Sequence, residues 1–431
     1  MPATVMPQTP TMPISPVRRL LYGIEHATAL STGDTASQTS ALTAAAFTDP
    51  AALTTAISQN TGGIRAVVTG TLDRHLVLIE HRPGASAVSA IGAGCWTIGG
   101  TATNQGIPIG WDGVDHDQAL TALHHAHELG VTLYDTADVY GLGHSERLIG
   151  RLLRDVDRDQ LMISSKVGYF AGTAALPYQP DQMRRQLDTT LTNLGTDHID
   201  LYFFHSDDFG DNDAHLPAAI AQMRAFRDEG LISAIGIRAP HPFAAEWATD
   251  PGPHRASAAR FLHLFTAIGP DIVTVRYNLL SPAYADHETD IFAFTRRHGV
   301  GALIKQALAQ GLLLSAEHPA PLYGRGDHRS HDPLFRPAAR AAIAHIVRRL
   351  RDQTGPAGLH RAVLRYALDQ HPDAAVLVGF RNPTQIQQTI TNLGDPLSLH
   401  ELTRLHALAR GARDLLHSLS LDRAAAARRP P

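Results

Sequence analysis

Four polar residues near the ends of short apolar segments form a chemically coherent set. Asp135 follows VTLY, Tyr140 lies just beyond it, Lys166 follows LMISS and His205 follows LYFF. A tyrosine, with an ordinary pKa of about 10, is a poor acid at neutral pH. A neighbouring lysine would lower that pKa, a carboxylate would keep the lysine charged, and an imidazole N–H would polarise a carbonyl. Together they predict a site that protonates an alkoxide as a hydride arrives.

Each of the four also has an ordinary structural explanation. An aspartate after a strand often caps a helix, a lone tyrosine usually packs, and a lone histidine is usually hydrogen-bonded within the fold. The scarcity of lysine favours the catalytic interpretation. Of the 37 Lys and Arg residues, only Lys166 and Lys305 are lysine. A GC-rich genome explains the arginine excess, but a retained lysine is a candidate for a role that needs a shiftable pKa, since arginine stays protonated.

The elements that would position these residues alternate regularly from about residue 88. Continuous apolar runs, typical of parallel strands buried on both faces, predict strands at 87–94, 131–135, 161–167, 198–205, 231–238, 271–277, 300–306 and 374–379. Amphipathic helical segments lie between them, and a final helix is predicted for 398–417. Eight such units in about 300 residues favour an α/β fold, a closed (β/α)8 TIM barrel, whose active site lies where the strands end. The G-x-G of AIGAGCW lacks the later features of a dinucleotide-binding fingerprint.

The regular pattern divides the chain into three parts. Residues 1–80 are predicted to be an N-terminal extension, either a small appended module or a linker, with helices at 17–30 and 50–60 and strands at 64–70 and 75–81. Residues 81–420 form the barrel, and 421–431 a basic flexible tail.

Composition argues against several classes of protein. The net charge of −4 predicts no nucleic-acid partner, which would leave a basic stripe. No apolar run approaches the roughly 18 residues of a membrane span, and the N-terminus lacks a secretory apolar region. A single cysteine, Cys95, excludes internal disulfides and fits a reducing compartment. We therefore expect a soluble, cytoplasmic protein without a bound metal, and protein partners stay open.

Longer motifs resemble the aldo-keto reductase superfamily. They are DTADVYGLGHSERLIG, SSKVG, TDHIDLYFFHSDD, RYNLLSP and VGFRNPTQIQQ, in the order and spacing of that family from about residue 82 to about 393. The resemblance implies a barrel that transfers hydride between NADP(H) and a carbonyl. It also implies a catalytic tetrad of Asp135, Tyr140, Lys166 and His205, the same four residues that their chemistry selects.

The resemblance implies a cofactor lying across the strand ends without a Rossmann fold. The residues implied as cofactor-binding are Gly94, Cys95 and Trp96 near the nicotinamide, Leu308, Gly311 and Arg329 toward the pyrophosphate, Gly379, Arg381 and Gln385 toward the 2′-phosphate, and Gln388 and Thr389 near the adenine. An arginine beside a helix N-terminus is also a sound phosphate site on physical grounds.

The chain departs from the family pattern around the nicotinamide. It carries Arg238–Ala239 where relatives have Ser-Asn, Thr274 where they have Gln, and Lys305 where many place an aromatic on the ring. By their positions, Arg238, Thr274 and Lys305 are nevertheless implied to be cofactor-binding residues near the nicotinamide. Two interpretations stay open. In the first, the chain belongs to a divergent subfamily that carries out ordinary carbonyl reduction. In the second, the changed residues serve a different chemistry or an anionic substrate. The expected function is reduction of a small aldehyde, ketone or sugar-like carbonyl with Tyr140 as general acid. The alternatives are a cofactor-binding regulatory subunit, like the potassium-channel β subunits of the superfamily, and a Schiff-base lyase using Lys305.

Overall fold

The structure is a computed structural model that describes residues 73–74, 88–104, 106–172, 174–280, 284–285, 287–316, 318, 322–355, 358–369 and 374–427. The helices expected at 17–30 and 50–60 and the strands expected at 64–70 and 75–81 lie outside the described residues.

Eight parallel strands close into a barrel in which each strand pairs with the next along the chain and the last pairs with the first. They are β1 (Ile91–Gly94), β2 (Leu133–Asp135), β3 (Met162–Val167), β4 (Ile199–Phe204), β5 (Ile232–Arg238), β6 (Ile272–Arg276), β7 (Gly301–Lys305) and β8 (Ala374–Val378). The predicted (β/α)8 barrel is confirmed. Short strands also occur at Asp73–Arg74, Val88–Ser89, Thr103–Asn104 and Ile107–Pro108, the last two as an antiparallel pair that the sequence did not predict.

Helices connect the strands as the alternating pattern predicted. They are α1 (His116–Glu128), α2 (His144–Leu152), α3 (Pro180–Leu194), α4 (Leu216–Asp228), α5 (Arg255–Ile268), α6 (Ile291–His298), α7 (Pro337–Thr354), α8 (Gly358–Leu368), α9 (Pro383–Thr391) and α10 (Leu399–Ala427), with a single turn at Leu312–Ser315. Within the described part of the chain, no helix combines the length and apolar character that crossing a membrane requires.

Local sequence signals explain where these helices begin and end. The Asp115 side chain caps α1 by accepting hydrogen bonds from the backbone N–H groups of Asp117 and Gln118. Helix α3 ends at Gly195, whose φ of 65° is the left-handed conformation that glycine adopts without strain. Helix α10 runs ten residues beyond its predicted end at 417, so part of the predicted flexible tail is helical. The cause is the Ala-rich run 424–427, because alanine has the highest helix propensity.

The barrel interior is filled by the strands themselves. Every residue of β3 and β4 is buried, as the continuous apolar runs predicted. Phe203 on β4 lies opposite Gly236 on β5, and a Cβ at Gly236 would come within 2.2 Å of the Phe203 ring. A large side chain on one strand thus packs over a glycine on its neighbour. This filled core leaves the strand ends as the place for a ligand.

Candidate active site

A cavity of about 870 Å³ opens at the C-terminal ends of the barrel strands. It brings together residues that are far apart in the sequence but follow neighbouring strands. The predicted site residues that line it are Gly94, Trp96, Asp135, Tyr140, His205, Arg238, Lys305, Leu308, Gly311, Arg329, Gly379, Arg381, Gln385, Gln388 and Thr389.

Three predicted site residues do not line the cavity. Lys166 lies beneath it, with 2 % of its surface exposed. Cys95 is also buried, and its thiol contacts the carbonyl oxygen of Ala93 at 3.5 Å, so it does not face a ligand. Thr274 is 1 % exposed, and its hydroxyl has no hydrogen-bond partner among the described residues. Neither side chain lines the cavity, and the contacts of Cys95 and Thr274 with a cofactor stay a prediction.

Asp135 and Lys166 form a buried ion pair at the ends of adjacent strands β2 and β3. The ammonium of Lys166 donates to Asp135 Oδ1 at 2.7 Å and also to the Thr136 carbonyl oxygen. The Ser164 hydroxyl donates to the same carboxylate oxygen at 2.7 Å. Because both groups are shielded from water, removing either charge would leave the other one buried without its partner, which is costly. The pair is neutral overall, and Asp135 fixes the position of the Lys166 ammonium.

Tyr140 lies above this ion pair, in the turn after β2. Its ring stacks on Trp96, with 6.1 Å between ring centroids and 30° between planes, and the Lys166 Nζ lies 4.9 Å from the Tyr140 ring centroid. The next residue, Gly141, has a φ of 62°, and a Cβ there would lie 1.7 Å from the Gly99 oxygen. The glycine in the YG motif is therefore required for this turn to hold the tyrosine against β1. No described residue hydrogen bonds with the Tyr140 hydroxyl, and Tyr140 lines the cavity.

The electrostatics of Tyr140 differ from the sequence-based expectation. Burial, assisted by the Asp135 carboxylate, raises the pKa of Tyr140 well above its ordinary value, and the Arg238 guanidinium only partly opposes this. The prediction that Lys166 lowers the pKa of Tyr140 is wrong, because burial is the largest influence and raises it. Burial wins because the charge of Lys166 is already compensated by Asp135. Tyr140 is consequently a neutral phenol that holds its proton at neutral pH.

His205 is a neutral imidazole beside Tyr140. The two rings meet edge to face at 6.1 Å, and Tyr169 packs against the other side of His205 at 4.6 Å. Burial and the nearby charges of Lys166 and Arg238 lower the pKa of His205 well below its ordinary value. Its buried Nδ1 has no hydrogen-bond partner among the described residues. A neutral imidazole with one N–H can polarise a carbonyl oxygen without adding a second acid to the site.

Arg238 braces the strand ends instead of projecting freely into the cavity. Its Nη1 donates to the His205 carbonyl oxygen at 2.8 Å and to the Tyr169 hydroxyl at 3.3 Å. Tyr169 and His241 also line the cavity, and sequence reasoning did not select either of them. Both follow a barrel strand by two or three residues, and this position was the signal that could have identified them.

The far end of the cavity meets the N-terminus of α9. The Asn382 side chain caps this helix by accepting from the Gln385 backbone N–H at 3.0 Å. The Arg381 guanidinium donates to the Asp112 carbonyl oxygen at 3.1 Å, and the Arg381 backbone N–H donates to the Gln385 side chain at 2.8 Å. A guanidinium beside exposed helix N–H groups is suited to binding a phosphate.

Arg329 is held more firmly than the sequence predicted. Its guanidinium contacts the fully buried Asp327 carboxylate at 2.5 Å and stacks over Trp111 at 4.3 Å and Tyr323 at 4.6 Å. The charge that was expected to clamp a pyrophosphate is therefore already neutralised by Asp327. Arg329 forms part of the cavity wall and fixes the loop that carries it.

The loop after β7 is strained where it borders the cavity. Gln306, Ala309 and Gln310 have positive φ values of 58°, 47° and 58°, and Gly311 follows at 89°. Each left-handed non-glycine residue costs on the order of 1–3 kcal/mol, and such strain concentrates at functional sites. Gln306, Gln310 and Gly311 of this loop line the cavity.

A second buried carboxyl in the DTADVYG motif predicts a pH-dependent stability. Asp138 is 2 % exposed, its Oδ1 accepts from the Val139 N–H at 2.7 Å, and its Oδ2 has no described partner. Burial and the Glu146 carboxylate raise the pKa of Asp138 well above its ordinary value. The folded state thus keeps a proton that the unfolded state loses above a pKa of about 3.9. Stability from this group is present at low pH and is lost as pH rises toward the raised pKa.

Asp138→Asn removes this titration while keeping the shape of the side chain. We expect the variant to gain stability over wild type as pH rises from 5 to 7.5, by at most about 1.4 kcal/mol per pH unit. Urea unfolding at both pH values measures the difference. Asp250→Asn, at an exposed position, serves as the control and should give no such trend. A difference for Asp138→Asn that does not change with pH would contradict the assignment.

Known proteins share these sequence features. A model of the aldo/keto reductase family matches residues 90–410. An aldo-keto reductase of Bacillus subtilis is 27 % identical over 314 residues, which cover 69 % of this chain and 83 % of that protein. The NADH-specific methylglyoxal reductase of Escherichia coli is 25 % identical over 341 residues, which cover 75 % of this chain and 95 % of that protein.

Solved structures share the fold. The glycerol dehydrogenase of Gluconobacter oxydans matches with a TM-score of 0.57 and 23 % identity, over 78 % of this chain and 94 % of that one. An aldo-keto reductase of Klebsiella pneumoniae, solved in complex with NADPH, matches with a TM-score of 0.54 and 21 % identity, over 78 % and 95 %. The family model covers most of the chain, and the barrel is the same. The chain therefore belongs to the aldo/keto reductase family of oxidoreductases.

Proposed function

We propose that the protein reduces a small aldehyde, ketone or sugar-like carbonyl with NADPH, and that Tyr140 is the general acid. The observation that carries this proposal is the neutral, cavity-lining phenol of Tyr140, held between the Lys166–Asp135 ion pair and a neutral His205. A phenol with a raised pKa holds its proton until a stronger base forms next to it.

The residues around the cavity fit NADP(H). The helix N-terminus and guanidinium of Arg381 would hold a phosphate, and the side chains of Gln385, Gln388 and Thr389 would meet the rest of the adenosine end. When bound, NADPH supplies the hydride.

This chain's own residues would handle the substrate oxygen. The Tyr140 hydroxyl and an N–H of His205 would both approach the carbonyl oxygen, which polarises it and orients it. As negative charge develops on that oxygen, Tyr140 transfers its proton, because an alkoxide is a much stronger base than a phenolate. The phenolate that remains lies beside the Lys166 ammonium, which stabilises it in a site shielded from water.

Relatives with small carbonyl or sugar substrates support the proposed class. A D-threo-aldose 1-dehydrogenase of a Pseudomonas species is 27 % identical over 327 residues, in addition to the methylglyoxal reductase. The direct test is a set of aldehydes, ketones and aldoses, with NADPH consumption followed by absorbance. Turnover of at least one member above the rate without enzyme supports the proposal, and a complete lack of turnover despite tight NADPH binding contradicts it.

We expect a preference for NADPH over NADH that depends on Arg381. A charge-assisted contact to the 2′-phosphate, which NADH lacks, is worth about 1.5–3 kcal/mol, or roughly tenfold or more in affinity. Arg381→Ala should weaken NADPH binding to this extent and leave NADH binding unchanged. Trp96 and Trp111 line the cavity, so their fluorescence can follow both titrations. Equal affinities of the wild-type protein for the two cofactors would overturn the assignment of Arg381 to the 2′-phosphate. The test is needed because one relative, the methylglyoxal reductase, is specific for NADH.

A further inference from the structure

Lys305 has no role in the chemistry described so far. It ends β7 and lines the cavity close to the catalytic residues, partly exposed to the cavity space. No described residue forms an ion pair or hydrogen bond with its ammonium. Lys166, the other lysine of the chain, is by contrast fully committed to Asp135. An unpaired lysine that is shielded from bulk water needs an explanation, because burying an isolated charge is costly.

The surroundings of Lys305 carry an excess of positive charge. The charged groups that act on it are Arg238 on β5, Lys166 on β3, Arg276 on β6 and the single carboxylate of Asp135 on β2. Arg276 is its direct register partner on the adjacent strand. Asp135 is already paired with Lys166, so it does not compensate Lys305 or Arg238.

The nearby histidines do not change this balance. Burial and the charges around them, Lys305 included, lower the pKa of His205 well below its ordinary value and that of His241 to about 3. Both are therefore neutral. Among the described residues, the carboxylates in this part of the protein are Asp135, which is paired with Lys166, and Asp332, which acts on Arg276. Lys305 and Arg238 are therefore left without a described carboxylate partner.

We propose that Lys305 and Arg238 bind a carboxylate on the substrate, so that the natural substrate is an aldehyde or ketone that also carries an acid group. This inference rests on the proposed function and specifies its substrate class. Arg238 is well suited to the second contact. Its Nη1 is fixed by the His205 carbonyl oxygen and the Tyr169 hydroxyl, and its other N–H groups are free of described partners. Lys305 supplies a point charge on a flexible stem.

A Schiff base on Lys305 is the main alternative, and the proposed chemistry argues against it. An imine forms when the neutral amine attacks the carbonyl carbon and water leaves. Hydride from NADPH would then reduce the C=N bond to a secondary amine, with a proton from the site. That product cannot be hydrolysed and would block the enzyme after one turnover. Binding an anion leaves the lysine intact and avoids this inactivation.

Anion binding also has a pH signature. Burial, together with the charges of Arg238 and Lys166, lowers the pKa of Lys305 well below its ordinary value. A bound carboxylate favours the charged ammonium and raises that pKa again. Between the two values the protein takes up a proton when the anion binds, so affinity falls as pH rises. Lys305→Arg should bind the anion without proton uptake, since arginine stays protonated.

The kinetic test compares matched substrates that differ only in charge. These are 4-carboxybenzaldehyde against methyl 4-formylbenzoate, and pyruvate against methyl pyruvate. For wild type we expect kcat/KM to favour the acid over its ester at least tenfold in one of the pairs, mainly through KM. Lys305→Met should bring that ratio close to one, and Lys305→Arg should restore it. Arg348→Met, which removes an exposed charge on α7, should leave the ratio unchanged. Wild-type ratios near one for both pairs would overturn the inference while the proposed function stands.

A binding test distinguishes carboxylate binding by Lys305 from its alternatives, even if no substrate is turned over. Calorimetric titration with 4-(hydroxymethyl)benzoate, with and without NADPH and in HEPES and Tris buffers, gives affinity and proton uptake. We expect at least tenfold weaker binding by Lys305→Met and proton uptake by wild type only. If Lys305→Met instead weakens NADPH binding tenfold and leaves benzoate binding unchanged, the anion is a cofactor phosphate and the inference is wrong. A mass increase of Lys305 after incubation with aldehyde and NADPH would identify the imine instead.

Discussion

Tyr140→Phe should lower the turnover of carbonyl reduction by roughly 10²–10⁴-fold, the usual contribution of a positioned general acid. The variant loses only the hydroxyl, which has no described hydrogen-bond partner in the cavity, so its fold and its ring contacts with Trp96 should persist. NADPH affinity should therefore be retained. Steady-state rates with an accepted carbonyl compound, together with fluorescence titration of NADPH, measure the two quantities separately.

Tyr202→Phe is the matched control. The Tyr202 hydroxyl is buried within β4, away from the cavity, and also lacks a described partner. Its removal should leave turnover unchanged. If Tyr140→Phe retains near-normal turnover while binding NADPH, the assignment of Tyr140 as general acid is wrong.

Lys166→Met should affect both catalysis and stability. Without the ammonium, the buried Asp135 carboxylate keeps only the Ser164 hydroxyl as a described side-chain partner. Removing one partner of a buried ion pair typically costs about 3–5 kcal/mol. The phenolate of Tyr140 would also lose its neighbouring positive charge, so turnover should fall as well.

A double variant separates these two roles. Asp135→Asn combined with Lys166→Met removes both charges, so the free energy of unfolding should recover most of the loss while turnover stays low. Urea unfolding and steady-state kinetics of both single variants and the double variant complete the cycle. Equal destabilisation by the single and the double variant would contradict the account of Asp135 and Lys166 as a mutually dependent pair.

The sequence predicted the barrel well because its signals are local. Continuous apolar runs and glycines at helix ends do not depend on distant residues, and the order of the strands in the barrel follows their order in the chain. The convergence of Asp135, Tyr140 and His205 on one cavity was predictable for a related reason. In a parallel barrel, residues that follow the strands must converge at one end, so Asp135, Tyr140 and His205 are expected to meet.

Properties that depend on burial and side-chain packing were not predictable. Asp327 lies only two residues from Arg329, but whether its carboxylate pairs with this guanidinium depends on how the loop folds. The burial of Cys95 and Thr274 depends in the same way on the residues packed around them. The pKa direction of Tyr140 was wrong for the same reason. Its proximity to Lys166 was predictable, but the extent of its burial was not. Lys305 was singled out by the scarcity of lysine and by its position where many relatives carry an aromatic, and the structure adds that it is unpaired within the described part of the chain.

The proposed function depends on the transfer of a hydride from NADPH to a carbonyl carbon in this cavity. The most direct measurement uses NADPH carrying deuterium at both C4 positions, with a carbonyl compound that the enzyme accepts, and mass spectrometry of the alcohol. We predict one deuterium bound to carbon in the product, formed by wild type and at a greatly reduced rate by Tyr140→Phe. Product without deuterium on carbon, or cofactor that is bound but never oxidised by any carbonyl compound, would contradict the account.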